Sequence, residues 1–132
     1  MNGGTRIMVI DDEPIVGKRI KRLLEKEGYE VSTFIEGQSA LNELDRRHFD
    51  IVITDLKMEG MDGLNILRIV KEKYHHTKVI IITGVGKWLT ATEAFEKGAF
   101  DFIIKPFKIE ELKNAIQRAE KEIKSPGEPG QK

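Results

Sequence analysis

Asp50-Ile51-Val52-Ile53-Thr54-Asp55-Leu56-Lys57-Met58-Glu59-Gly60-Met61-Asp62-Gly63 is the stretch that decides the fold. A β-branched apolar run stops on Asp55 and opens into a short loop carrying two glycines. A second run, Ile7-Met8-Val9-Ile10, stops the same way on the acidic pair Asp11-Asp12. If both runs are parallel strands, their carboxylates share the carboxyl edge of one sheet, the edge where open α/β sheets bind ligands and do chemistry. Three carboxylates gathered there require a cation.

Further strand candidates lie at Glu30–Phe34, Lys78–Ile82 and Phe100–Ile104, beside Arg6–Ile10 and Ile51–Thr54. Several are continuously apolar, as strands covered on both faces are. Amphipathic stretches alternate with them. Val16, Ile20, Leu23 and Leu24 recur at helical spacing behind Pro14, which suits a first helical turn. Gly28 reads as a helix stop, and so does Gly98 after the stretch from Lys87. Ile109, Leu112, Ala115, Ile116, Ala119 and Ile123 form the stripe of a final helix. Five βα units in succession predict a doubly wound parallel α/β sheet.

The chain has 132 residues, enough for one domain with a real core. Lysine plus arginine and aspartate plus glutamate number 22 each, so no basic field attracts nucleic acid or anionic lipid. The absence of cysteine excludes disulfides, thiolate catalysis and thiolate zinc sites. No apolar run is long enough to span a bilayer, and Met1-Asn2-Gly3-Gly4-Thr5 is not a signal peptide. A soluble cytoplasmic protein is expected. The Pro- and Gly-containing end, residues 124–132, reads as a flexible tail or a linker stub behind a domain at 6–123.

Each strand end carries a different functional type: Asp11 and Asp12, Asp55, Thr83 before Gly84, and Lys105 before Pro106. Neighbouring strands lie about 4.8 Å apart, so these groups converge. Carboxylate oxygens without histidine or cysteine suit Mg²⁺ or a similar hard cation such as Mn²⁺, which commonly takes phosphate oxygens too. A hydroxyl and an ammonium opposite supply donors to the same oxygens. Asp55 is then the candidate nucleophile for an acyl phosphate. Each residue also has a plainer reading: Asp55 as a turn former, Asp11 or Asp12 as a helix cap, Thr83 as a strand-end threonine. Lys105 fits those readings least, because an unpaired lysine between Ile104 and Pro106 is costly to bury. Asp62-Gly63 reads as turn chemistry alone. His48, His75 and His76 read as solvated surface. Trp88 and Phe95 fit either core packing or an exposed partner surface.

Together these residues resemble a known family. Val9-Ile10-Asp11-Asp12-Glu13-Pro14, Asp55-Leu56-Lys57-Met58, Gly60-Met61-Asp62-Gly63, Thr83-Gly84 and Gly98-Ala99-Phe100-Asp101-Phe102 running into Lys105-Pro106-Phe107 are similar to the motifs of response regulator receiver domains. The resemblance covers residues 6–123 and implies a flavodoxin-like three-layer sandwich with strand order 2-1-3-4-5. It implies that Asp55 accepts phosphate from a sensor histidine kinase or phosphotransfer protein. Asp11, Asp12, Asp55 and the backbone carbonyl of Lys57 would hold Mg²⁺, and Thr83 and Lys105 would contact the phosphoryl oxygens. Phe102 stands at the aromatic switch position, and the Lys105–Pro106 peptide is expected to be cis. Such a domain is not a conventional enzyme: it catalyses phosphotransfer to itself and its own slow dephosphorylation. It would act on a partner, an output domain or a second copy through the face built from the fourth helix, fifth strand and fifth helix, where Trp88 would report the change.

Two departures stand out. Glu59 replaces a proline, which makes for a less stiff loop, and Phe102 lacks a hydroxyl, leaving burial alone to report the switch. Lys57 and Val85 flank the approach of a hydrolytic water, and neither orients one, so the resemblance implies a long-lived phosphate. The resemblance leaves two readings, a stand-alone relay receiver or the receiver of a longer regulator; the wording Asp-Leu-Lys-Met and Lys-Pro-Phe resembles receivers of transcriptional activators that work with alternative sigma factors, and nothing in this chain binds DNA by itself. A haloacid-dehalogenase-type phosphatase would need Asp-x-Asp after the first strand, and a flavodoxin-like cofactor binder a Ser/Thr/Gly-rich loop. Asp11-Asp12-Glu13 supplies neither.

Overall fold

In the computed structural model, residues 4–56, 61–84 and 91–124 are described. Lys57, Glu59, Val85, Trp88 and the tail from residue 125 lie outside them, so the expectations resting on those positions stay with the sequence. The described chain alternates β1 (Arg6–Ile10), α1 (Pro14–Glu25), β2 (Glu30–Phe34), α2 (Gly37–Arg46), β3 (Ile51–Asp55), α3 (Gly63–Lys73), β4 (Lys78–Gly84), α4 (Ala91–Glu96), β5 (Asp101–Lys105) and α5 (Ile109–Lys124). All strand pairings are parallel, in the order β2-β1-β3-β4-β5.

Alternation along the strands divides the core into two layers. Ile7, Val9, Ile51, Ile53, Ile80 and Ile82 pack under α1 and α5, where Ile20, Leu24, Leu112 and Ile116 meet them. Met8, Ile10, Val52, Val79 and Ile81 face the other way, against Leu44, Ile66, Leu67 and Ala94 of α2, α3 and α4. A strand clad on both faces can be continuously apolar, which is why the sequence runs show no clear alternation.

The helix ends follow local chemistry. Pro14 opens α1, and Gly28, with φ +95°, ends the turn after it in a backbone region closed to most side chains. The Asp62 side chain accepts from Asn65 N–H at 3.0 Å and caps α3. The N-cap position of α1 falls on Glu13, whose side chain makes no capping bond, and not on Asp11 or Asp12. The Lys105–Pro106 peptide is cis.

Strand bounds differ from the sequence reading in β3, which runs one residue further to Asp55, and in β4 and β5. β4 runs on to Gly84 and β5 lies one residue later, because Thr83 and Gly84 pair with Ile104 and Lys105 although they add no apolar signal. A polar cluster sits at the opposite, amino end of the sheet. Glu120 of α5 is buried and accepts from the Thr5 hydroxyl at 2.8 Å and the Tyr29 hydroxyl at 3.0 Å. Burial, then the bond to Glu120, pushes the Tyr29 phenol well above its ordinary pKa.

Candidate functional site

Register fixes the site. Ile10 pairs with Thr54, Asp55 with Ile82, Thr83 with Ile104 and Gly84 with Lys105, so four strand ends finish at one level. Asp11, just past β1, is buried, Asp55 is half-buried and Asp12 is exposed. Ligand atoms of these three carboxylates all lie within 4.8 Å of one another.

Lys105 crosses the pocket. Its Nζ donates to Asp55 Oδ2 at 2.9 Å and to Asp11 Oδ2 at 3.3 Å. The costly lysine of the sequence reading is therefore paired twice. Burial by itself would lower its pKa, but the hydrogen bond to Asp55 and the charge of Asp11 outweigh that and hold it above the ordinary lysine value. Asp11 is pushed upward, chiefly by burial and further by the charge of Asp55. The Glu13 N–H, donating at 2.9 Å to its Oδ1, and the Lys105 ammonium only partly oppose this.

Thr83 is 2% exposed, and its hydroxyl has no hydrogen-bond partner among the described residues. A buried donor in that state costs free energy, so the position makes sense when an acceptor arrives. Oxygen-only donors, the crowding of like charges and this idle hydroxyl fit a hard cation carrying phosphate oxygens. Phe102, one strand over, is half-buried against the core layer under α4. His48, His75 and His76 are exposed and away from the site, as expected.

Beyond the turn chemistry read for Asp62-Gly63, Gly63 packs against the backbone that carries the site. A Cβ built there would stand 2.4 Å from the Asp55 carbonyl oxygen and 2.8 Å from Leu56 Cα. Its N–H donates to the Leu56 carbonyl at 2.7 Å, while Leu56 N–H donates to Ile82 O at 2.9 Å. The start of α3 thus presses on the backbone that carries Asp55. Sequence offered one signal, a glycine closing the loop behind the strand, which ordinary turns share.

Beside the site, between α1 and the segment after β5, a cleft of about 600 Å³ is lined by Ile15, Val16, Leu23, Pro106 and Phe107. Ile15 is 75% exposed. On the far side of β5, Phe95 of α4 and Ile104 are half exposed, which places Phe95 on the surface and out of the core.

Comparison with known proteins agrees with this geometry. Residues 7–117 match the response regulator receiver domain family. Regulatory protein AtoC of Escherichia coli is 35% identical over 119 residues, 90% of this chain and 26% of that protein. Nitrogen assimilation regulatory protein NtrX of Azorhizobium caulinodans is 36% identical, over 86% of this chain and 25% of its own length. The chain spans about a quarter of these relatives. Among solved structures, a response regulator receiver domain protein from Clostridium thermocellum superposes with TM-score 0.86 at 38% identity, covering 91% of this chain and 97% of that one. The beryllofluoride-activated NtrC4 receiver domain dimer gives 0.83 at 34% identity, over 89% and 98%. The chain belongs to the response regulator receiver domain family, the phosphorylation-dependent switches of two-component signalling.

Proposed function

We propose that this chain is a signalling switch that takes a phosphoryl group onto Asp55 from a phosphohistidine of a sensor kinase or phosphotransfer protein, and so controls a transcriptional output. The observation that carries this reading is the Asp55 carboxylate at a strand end, bonded to Lys105 at 2.9 Å beside two further carboxylates and the buried Thr83 hydroxyl, which has no partner among the described residues. In the transfer, an Asp55 oxygen attacks phosphorus in line. The new P–O bond forms as the P–N bond breaks, and the imidazole keeps the electron pair and takes up a proton. Lys105 turns its ammonium from carboxylate to phosphoryl oxygen, and the Thr83 hydroxyl gains its missing acceptor. Asp11, Asp12, Asp55 and the Lys57 carbonyl would hold Mg²⁺, which supplies charge neutralisation to the transferring group. The chain is catalytic only toward itself, not an enzyme in the conventional sense, and acts in the cytoplasm.

The phosphodonor protein would seat an apolar side chain in the cleft by Ile15, adjacent to Lys105. Output passes through α4, β5 and α5, where exposed Phe95 and Ile104 flank half-buried Phe102. A related receiver is a dimer when activated by beryllofluoride, and the same face would pair two copies here or meet an output domain. The chain itself reads no DNA. Among the described residues no helix is long and apolar enough to cross a membrane.

The test is labelling by a phosphodonor kinase, in Mg²⁺, of the wild type and Asp55→Asn. Acid-stable, base-labile label on the wild type and none on the variant supports the assignment. Equal labelling of both overturns it.

A further inference from the structure

At the end of the sheet opposite Asp55, Lys71 of α3 lies across the turn that leads into β5. The methylenes of its side chain pack over Gly98, close enough that a Cβ there would stand 3.0 Å from Lys71 Cγ and 3.3 Å from Cε. The stem is thus held, and it lines a cleft of about 430 Å³ together with Leu64, Leu67 and Lys97. Lys21, Lys73, Lys78, Lys105 and Lys113 each hold a carboxylate within 4.0 Å, whereas Lys71 has no hydrogen bond or ion pair among the described residues. The charged groups around it are mostly cations: Arg68 on its own helix, Lys97 after α4 and Lys78 on β4. Glu72 also borders the cleft, but Arg68 occupies it at 3.6 Å. Glu122 of α5 attracts Lys71, yet Lys78 occupies that carboxylate at 2.8 Å.

We infer that Lys71 is an acylation site: a half-buried amine, open to a cleft floored by Leu64 and Leu67, whose neighbouring carboxylates are held by other cations, that reacts with small acyl thioesters in preference to the other lysines. Burial, and then the charge of Lys78, lower its pKa below the ordinary lysine value, against the weaker pull of Glu122. More of it is therefore the free amine at neutral pH. In the reaction the Lys71 amine attacks the thioester carbonyl carbon. An N–C bond forms, the C–S bond breaks, and the sulfur leaves with the electron pair and takes the proton the nitrogen sheds. The product is a neutral amide and a free thiol, with no oxidant or further reactant. The site does not depend on phosphoryl transfer to Asp55, and a thioester delivers no phosphate.

The experiment treats the full chain with S-acetyl-N-acetylcysteamine, a small acetyl thioester, and follows each lysine by peptide mass spectrometry from pH 7 to pH 10. Lys26 and Lys121, both exposed, serve as internal references. Lys71 is expected to acetylate at least about threefold faster than these at pH 7, the advantage shrinking toward pH 10 as every lysine loses its proton. Lys78→Gln removes the like charge and frees Glu122 for Lys71, so the advantage should shrink, burial alone being left to sustain it. A Lys71 rate at or below the references at pH 7 overturns the inference. So does a Lys71 advantage unchanged in Lys78→Gln.

Discussion

Replacing Gly63 by alanine probes the packing of α3 against the phosphoacceptor strand. The new methyl would meet backbone on its near side, the Asp55 carbonyl at 2.4 Å and Leu56 Cα at 2.8 Å, where ordinary contact begins near 3.4 Å. Neither neighbour is a flexible side chain, so either α3 or the Asp55–Leu56 backbone has to retreat by up to about 1 Å. Overpacking of this kind costs roughly 1–3 kcal/mol. Alanine's helix propensity returns at most about 1 kcal/mol at this first helical position. The net loss should be about 1–2 kcal/mol, a fall in Tm of roughly 3–8 °C for a domain of this size. The functional effect should exceed the thermal one, because the displaced backbone carries the nucleophile, and a 1 Å misplacement of a reacting group can cost about 10²-fold in rate. Gly37→Ala is the control. It also begins a helix, α2, but its methyl would meet Met61 Cβ at 3.1 Å, Met61 Sδ at 3.2 Å and Ile66 Cδ1 at 3.3 Å, contacts that a shift of a few tenths of an ångström relieves. The assays are thermal melts and phosphorylation time courses for both variants. A Gly63→Ala protein that melts within about 1 °C of wild type and labels at the wild-type rate would refute the argument.

Mg²⁺ at about 100 times its Kd should stabilise the wild type by about 2.7 kcal/mol, and Asp12→Ala should lose most of that response; a wild-type Tm indifferent to millimolar Mg²⁺ removes the metal assignment. Thr83→Val replaces an orphaned buried hydroxyl with a methyl of similar size. It should raise the stability of the unphosphorylated protein by about 1 kcal/mol while weakening its conformational response to beryllofluoride, and a lower Tm would contradict this. Tyr29 has a folded pKa raised above its ordinary value, so its contribution is intact below about pH 10 and is lost as pH rises beyond that. Tyr29→Phe should flatten this alkaline loss in denaturant titrations, and an unchanged alkaline slope would show that Tyr29 is not its source.

Much of this architecture could be read from local pattern. β1 and β2 begin and end where the sequence places them, and in β1 the run Ile7–Ile10 is wholly buried, as in a parallel strand clad on both faces. The convergence of Asp11, Asp55 and Lys105, with Thr83 at the neighbouring strand end, was equally legible, since each ends or directly follows a strand run. Strand order was not, because five similar apolar strands can be wound in more than one order; it came from the resemblance. Two other features escaped for a common reason. Gly63 matters through backbone it touches across a loop, and Glu120 through Thr5 and Tyr29, 115 and 91 residues away. Contacts of that kind leave no periodicity in the sequence around either partner.

The balance of charge and hydrogen bonds explains why such a site would respond to phosphorylation. Three carboxylates and the Lys105 ammonium leave two net negative charges in a partly buried pocket, which a divalent cation would cancel. Adding a dianionic phosphoryl group to Asp55 replaces one negative charge with two, so the loaded pocket would carry only one. That is a small enough excess for the fixed donors around it to hold. Thr83 decides the rest. Its buried hydroxyl has no partner among the described residues, a deficit worth about 1–3 kcal/mol. A phosphoryl oxygen within reach would satisfy it, and only in the conformation that brings Thr83 to the site. The difference between the two states is then large enough to shift their populations by about 5- to 150-fold, and the shift reaches β5 because Thr83 and Ile104 are register partners.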